Sequence, residues 1–326
     1  MGDAVAAAAA ACATQIELRT LWIISFSNDL HALVVKKRVQ DRGLFSKCNI
    51  IFIDELSRKS SGSKYNASHE GISFRIDGGK YSKIEEGDVV WSRRSNPLNF
   101  SHLFSEDQDH KEFIALALND LIGLAYFSSP GAIWINDLHC ARRAENKLIQ
   151  LMQAKSVGLL TPDYISTNDD DKFNDDMVDR YVLKSIRSNP GFVFKTINVS
   201  RDLDKDSIFS KNLPILQLKL TGERNIRACV FGNRVVSAQY FSKMVDTRPD
   251  YNQKMTPCEL PAPIEQKLHL FLRTSGLRMG IFDLREDENG NLFFLECNQQ
   301  GQFIYLEPKL KINIVDIFCE YLASSS

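Results

Sequence analysis

Between Gly280 and Phe303 the chain alternates apolar and acidic stretches: Gly280-Ile-Phe-Asp283-Leu-Arg-Glu-Asp-Glu-Asn-Gly290, then Asn291-Leu-Phe-Phe-Leu-Glu296-Cys-Asn298-Gln-Gln-Gly301-Gln302-Phe303. Asn289-Gly290 between two β-prone runs is a strong hairpin signal, because both residues accept the positive φ of a tight turn. If that pair forms a two-residue turn, Glu288 faces Asn291, and counting outward sets Asp283 opposite Glu296. The ladder makes this a non-hydrogen-bonded pair, with Cβ atoms about 4.5–5.5 Å apart. Asn298 lies two residues further along the same face. Two adjacent carboxylates repel, and a hard divalent cation such as Mg²⁺ would remove the conflict, since it prefers carboxylate and amide oxygens. The alternative is an exposed acidic hairpin without a ligand. The distance of Asp283 and Glu296 from the turn argues against it.

The rest of the chain reads as an α/β protein with α+β lobes. The runs Leu21–Phe26 and Asn49–Ile53 flank a helical pattern from Asp29 to Arg42 that stops at Gly43, and this alternation suggests a parallel sheet. Ser57–Ser68 reads as a loop, Ile72–Ile76 and Asp88–Trp91 as strands, and Glu112–Phe127 as a buried helix. After Ala132–Ile135 and a capping Asn136-Asp137, the spacing of Ala144, Leu148, Leu151 and Met152 predicts one helix over Ala141–Val157, stopped by Gly158. From Tyr181 the texture is β-rich: Tyr181–Lys184, Phe192–Ile197, Ile215–Leu220, and a hairpin of Asn225–Phe231 and Arg234–Phe241 turning at Gly232-Asn233. A helix follows over Pro263–Ser275, capped by Gly276, and another closes the chain near Ile312–Tyr321. The expected division is an alanine-rich disordered tail (1–18), an N-terminal α/β domain (19–130), a central lobe (131–212) and a C-terminal lobe with the metal site (213–326).

Composition narrows the function. A formal net charge of −1 gives no basic field for nucleic acid. No apolar stretch is long enough to span a membrane. The seven cysteines are an odd number without a CxxC spacing, which favours reduced thiols in a cytoplasmic protein. The run Ala4–Ala13 lacks the basic start of a secretory signal, the first charge being Asp3. No HExxH is present.

Asp283, followed by Glu296-Cys-Asn298, resembles the magnesium-ligand pattern Asp…Glu-x-Asn of the ATP-grasp ligases. The extension Leu295-Glu-Cys-Asn-Gln-Gln-Gly-Gln-Phe303 resembles the ending of those that macrocyclise microviridin-like peptides, the graspetide ligases. Lys147, in Glu145-Asn-Lys-Leu-Ile, and Lys184, in Tyr181-Val-Leu-Lys-Ser, match the two nucleotide lysines in order. A lysine delivers a compact charge to triphosphate oxygens; taken singly, each could be a surface charge. Only Gly191 lies where the family has a glycine-rich flap. Gln217-Leu218-Lys219 resembles the strand that contacts adenine, without its usual acidic residue. Arg227 matches an arginine that faces the phosphates or the acyl-phosphate. Arg93-Arg94, after Val-Trp-Ser, and Arg248, in Asp246-Thr-Arg, resemble two arginine elements of the graspetide ligases, and guanidinium forks suit carboxylates. A structural salt bridge is the alternative for each.

The resemblance runs from about Leu21 to Glu307. It implies an ATP-grasp fold, with ATP and Mg²⁺ between the last two lobes. The implied activity is an ADP-forming ligase that activates Asp or Glu side chains of a ribosomal precursor peptide as acyl-phosphates and closes them onto hydroxyls or amines. Two rivals are a ligase adding an amino acid to a small metabolite or a protein terminus, and a non-catalytic nucleotide-binding module. The implied partner is a precursor with a leader segment, expected around Phe192–Lys211 beside the mixed charges Arg201 to Asp206. A homodimer is left open.

Overall fold

The computed structural model describes residues 19–59, 61–98, 108–169, 172, 174–187, 196–201, 203, 213–246 and 253–326. The N-terminal third contains β1 (Thr20–Ser25), α1 (Leu30–Asp41), β2 (Lys47–Phe52), α2 (Ile53–Leu56), β3 (Ser63–Ser68), β4 (Gly71–Ile76), β5 (Val89–Ser92), α3 (Gln108–Phe127) and β6 (Ile133–Ile135). Its main sheet has the order β2-β1-β5-β6, every pair parallel. Parallel sheets are covered on both faces, which explains the continuous apolar runs. Leu21 and Ile23 point into one core, Trp22 and Ile24 into another. Asp29 caps α1 by accepting a hydrogen bond from the His31 N–H.

The segment expected to be a loop, Ser57–Ser68, is partly strand. Its second half, β3, pairs antiparallel with β4 from Ser63↔Ile76 to Ser68↔Gly71. Most of β3 is solvent-facing, so its polar residues hide the alternation by which strands are read.

The helix expected over Ala141–Val157 is two helices, α4 (Leu138–Arg143) and α5 (Lys147–Ser156). The break lies at Asn146, whose side chain accepts from the N–H groups of Leu148 and Ile149 and starts a new helix. Lys147 is thereby set in a first turn.

Next come β7 (Tyr164–Ser166), β8 (Tyr181–Ser185), β9 (Ile197–Asn198) and β10 (Pro214–Leu218), an antiparallel sheet of order β7-β10-β8-β9. The boundary expected at 212/213 would cut β10 from this sheet, yet its hydrogen bonds run to β7 and β8.

The last part contains β11 (Arg224–Phe231), β12 (Arg234–Phe241), β13 (Thr256–Pro257), α6 (Ala262–Ser275), β14 (Met279–Glu286), β15 (Leu292–Asn298), α7 (Leu306–Leu310) and α8 (Ile314–Ser324). Its five strands form an antiparallel sheet of order β13-β12-β11-β14-β15. One face packs on α5 and α6 through Phe271, Phe282 and Phe294. The other packs on α8 and the N-terminal sheet through Phe231, Met279, Ile281 and Phe318. No helix among the described residues is long and apolar enough to cross a membrane.

Candidate functional site

Asp283 does face Glu296, but by a different route from the one the turn suggests. Asp287 N–H donates to Asn291 O, so the tip is a three-residue loop, Glu288-Asn289-Gly290, with Gly290 at φ 83°. That odd length alone would put Asp283 opposite Leu295. A bulge between Asp283 and Leu284 corrects it: Leu284 pairs with Phe294 while Asp283 pairs with Glu296. Leu295 is the extra residue. Bulges re-aim side chains, and here Phe294 and Cys297 both enter the core while Glu296 turns to the opposite face.

That face belongs to the C-terminal sheet where the covering helices end. On β11, Arg227 lies beside Asp283. Its Nη1 donates to both carboxylate oxygens, at 2.8 and 3.1 Å, and its Nη2 to Gln302 O at 2.9 Å. Lys147 Nζ is 3.3 Å from Glu296 Oε2. Lys147, Lys184, Gln217, Asp283 and Glu296 line one cavity between the central and C-terminal sheets. Lys184 and Gln217 reach it because their strand neighbours Leu183 and Leu216 fill the small core behind. Burial pushes the Asp283 carboxyl above its ordinary range; Arg227 opposes the shift and Glu296 adds to it. Burial disfavours the charge on Arg227, but Asp283 outweighs it and the guanidinium holds its proton more firmly than usual. Two acids are thus neutralised by two cations in a partly dry site.

The segment after Glu296 is gripped by buried polar side chains, of which only Arg93, and Asn136 as a helix cap, stand out in the sequence. Gln150, on α5, accepts from Cys297 N–H at 2.7 Å and donates to Cys297 O at 3.0 Å. Asn136 donates to Gln299 O at 3.2 Å and to Met279 O at 3.0 Å, and accepts from the N–H groups of Arg278 and Met279. Arg93 donates to Gln300 O. His31 Nε2 accepts from Phe303 N–H at 3.0 Å. At Gly301 a Cβ would lie 2.6 Å from a side-chain carbon of Ile281, so only glycine fits. The quoted ending therefore reads largely as backbone geometry. Glu296, Asn298 and Gln302 point away from the core, and Asn298 Oδ1 accepts from Gln300 N–H at 3.0 Å.

Arg93 sits behind this loop instead of lining the cavity. It is 2% exposed, with Nε 3.4 Å from Asp29 Oδ2, and burial lowers its pKa to about 10. Arg94 Nε lies 3.7 Å from the same oxygen. Burial, with Arg93 nearby, lowers the His31 pKa to about 3 although Asp29 pulls the other way, which keeps the ring neutral and its Nε2 an acceptor. In the sequence only Arg93 and Arg94 stand out here; Asp29 reads as no more than a helix start and His31 carries no signal. Leu218 and Lys219 line a second cleft with Thr161, Arg180 and Phe293, while Gln217 alone of that trio joins the lysines. Arg248, Gly191 and most of Phe192–Lys211 lie outside the described residues; Arg201 is exposed.

A magnesium ion fits this donor set. Asp283 and Glu296 offer facing hard oxygens, and the Asn298 amide oxygen keeps a lone pair beyond its hydrogen bond to Gln300. Both carboxylates already hold cationic partners, so the pair is built to meet positive charge.

No protein-family model matches the chain, and no curated protein matches it. Solved structures do. The macrocyclase MdnC from Microcystis aeruginosa MRC, bound with precursor peptide MdnA, superposes with a TM-score of 0.76 at 22% identity, over 94% of this chain and 100% of that one. The ATP-grasp ligase PsnB complexed with minimal precursor gives 0.75 at 16% identity, over 94% and 100%. A Chryseobacterium gregarium RiPP-associated ATP-grasp ligase, in complex with ADP and a leader and core peptide, gives 0.72 at 19% identity, over 94% and 96%. From the parallel sheet to the last helix, the chain has the ATP-grasp fold.

Proposed function

We propose that this chain is an ATP-dependent ligase that joins Asp or Glu side chains of a ribosomally made peptide to hydroxyl or amine groups of the same peptide. The observation that carries the reading is the Asp283–Glu296 pair, set in one cavity with Lys147 and Lys184 and flanked by Arg227. Acid oxygens for a metal facing cations for phosphates is the charge arrangement that phosphoryl transfer needs, since that chemistry rests on positioning and neutralisation. In this reading a substrate carboxylate attacks the γ-phosphorus of ATP, and ADP leaves. A hydroxyl or amine then attacks the acyl carbon, loses its proton and expels phosphate. Lys147 and Lys184 hold phosphate oxygens, and Arg227 offers its fork to the acyl-phosphate. Asp283, Glu296 and Asn298 would hold Mg²⁺, which when bound supplies neutralising charge at the phosphates.

The peptide substrate is supported by the ending Glu296 to Phe303 and by the company of structures that carry precursor peptides. By the same reading the nucleotide lies between the central and C-terminal lobes, and the leader engages the region 192–211. Purified protein, ATP, Mg²⁺ and a small Thr-, Ser-, Asp- and Glu-rich peptide, sought in the neighbouring DNA, provide the test. Intact mass should fall by one water per bond, with ADP and phosphate released. AMP and pyrophosphate, or an unchanged peptide mass, would reject the proposal.

A further inference from the structure

Beside the nucleotide cavity lies a second, basic one. It encloses about 320 Å³ and is lined by Arg142, Arg143, Asn146, Ile149, Ile186 and Arg187. The guanidiniums are positioned but not saturated. Arg142 Nη2 donates to Asn119 Oδ1 at 2.7 Å, while its buried Nε has no hydrogen-bond partner. Arg143 Nη2 donates to Ser275 O at 2.9 Å. Arg187 Nη2 is 3.0 Å from Glu145 Oε2. Each guanidinium has five N–H donors, so most remain to be used. The carboxylates that act on Arg142 are Glu145 and Asp120, and among the described residues the lining itself holds three arginines and no acid.

The two cavities share a wall. Lys147 N–H donates to Ile186 O at 3.0 Å, joining the start of α5 to the chain just after β8. Lys147 and Lys184 look into the nucleotide cavity, while their chain neighbours Asn146, Ile186 and Arg187 look into the basic one. Glu145, at the rim, also accepts from Asn96 Nδ2 at 3.1 Å. The groove therefore opens where the N-terminal segment after Arg94 meets the central lobe.

We propose that this groove binds a carboxylate of the substrate peptide other than the one being activated. The proposal rests on the ligase reading, in which the substrate carries several acidic side chains. A guanidinium fork binds carboxylate in two-point fashion. A neighbouring acid held by Arg142 and Arg187 would set which acid reaches the phosphates.

The probe is a fluorescent twelve-residue peptide of Thr, Ser, Asp and Glu, compared with its counterpart bearing Asn and Gln at every acidic position. Anisotropy is read on the full chain with ADP and Mg²⁺. Wild type should favour the acidic peptide, and Arg142→Gln and Arg187→Gln should each weaken it about tenfold, as for a lost charge-assisted hydrogen bond. The amide peptide and ADP should bind as before. Arg187 is the safer variant, because its side chain is 55% exposed. Unchanged binding of the acidic peptide to Arg187→Gln would overturn the proposal. Equal loss with both peptides would also overturn it. So would weakened ADP binding, which would assign the groove to nucleotide phosphate. Binding is read without turnover. Failure of the wild type to form ADP would therefore reject the ligase reading while the anisotropy still decides the groove.

Discussion

The acidic and basic halves of the cavity between the central and C-terminal sheets are built differently. On the acidic side, Gln150, Asn136, Arg93, Arg227 and His31 each grip a different backbone group between Cys297 and Phe303. They come from separate elements, so the strand that carries Glu296 and Asn298 is fixed from several directions. On the basic side, Lys184 stands on a small sheet whose buried core is Leu183, Val199 and Leu216, and Lys147 opens a ten-residue helix. The contrast teaches that Lys147 shares the acids' template, through α5 and its Gln150, while among the described residues Lys184 is carried on the lighter support. The cavity encloses about 90 Å³, well under the roughly 300–1,000 Å³ of ordinary ligand pockets.

The hardest test of the template is to remove its acids. Asp283→Ala, Glu296→Ala and Asn298→Ala should each cut turnover by about a thousandfold or more, roughly 4 kcal/mol of barrier. All three should remain folded. Asp283→Ala strands the Arg227 charge and should also cost about 1–3 kcal/mol of stability. Wild-type ATP consumption by two of the three would dismiss the metal assignment.

Gln150→Leu probes rigidity without touching a ligand. It leaves the Cys297 N–H and C=O without their partner, at about 1–3 kcal/mol for each group. Denaturant melts should show that loss together with weaker Mg²⁺ binding. A variant as stable as wild type would erase the distinction between the halves.

Lys147→Ala and Lys184→Ala should do the opposite. Nucleotide affinity should fall by about 1.5–3 kcal/mol, with Lys184 affecting the rate more and stability nearly unchanged. Calorimetry showing unaltered binding in both would return these lysines to the surface.

The smallest expected effect is a pH slope. Burial, with Arg93, depresses the folded pKa of His31 from 6.5 to about 3, against the pull of Asp29. Between those values the unfolded chain binds the extra proton. The stabilisation is therefore complete above about pH 6.5 and is lost as pH falls toward 3, by at most about 1.4 kcal/mol per pH unit. His31→Gln keeps an acceptor without the titration, so its stability should fall less between pH 7 and 5. Equal slopes in the two proteins would remove His31 from the clasp.

Sequence reading went furthest where side-chain chemistry and strand periodicity coincide. Asp283 and Glu296 were visible because charged residues interrupt apolar runs, while the two lysines and the ATP-grasp fold came from the resemblance to the ATP-grasp ligases. The break before Lys147 was hidden because Ala144, Leu148 and Leu151 keep helical spacing across it. The exposed strand Ser63–Ser68 was hidden because only its pairing with Gly71–Ile76 orders it. Gln150 carried no signal and Asn136 read only as a helix cap, a role that Asp137 fills, since a buried amide is recognised only by the distant backbone it holds. Arg93 was visible as an arginine, but its place behind the Gln300 loop depends on Asp29 and a fold-wide contact.

The extra residue Leu295 has an arithmetic consequence. Twelve residues, 284–295, lie between the facing acids Asp283 and Glu296. An even number closes on a facing pair only with an even loop, or with an odd loop and one bulge. This chain takes the second solution, with three residues at the tip. The count keeps tip and bulge separate: residues added at Gly290 only lengthen the loop and leave Asp283 facing Glu296, whereas one residue added beside Leu295 moves Glu296 out of register unless the bulge takes it up.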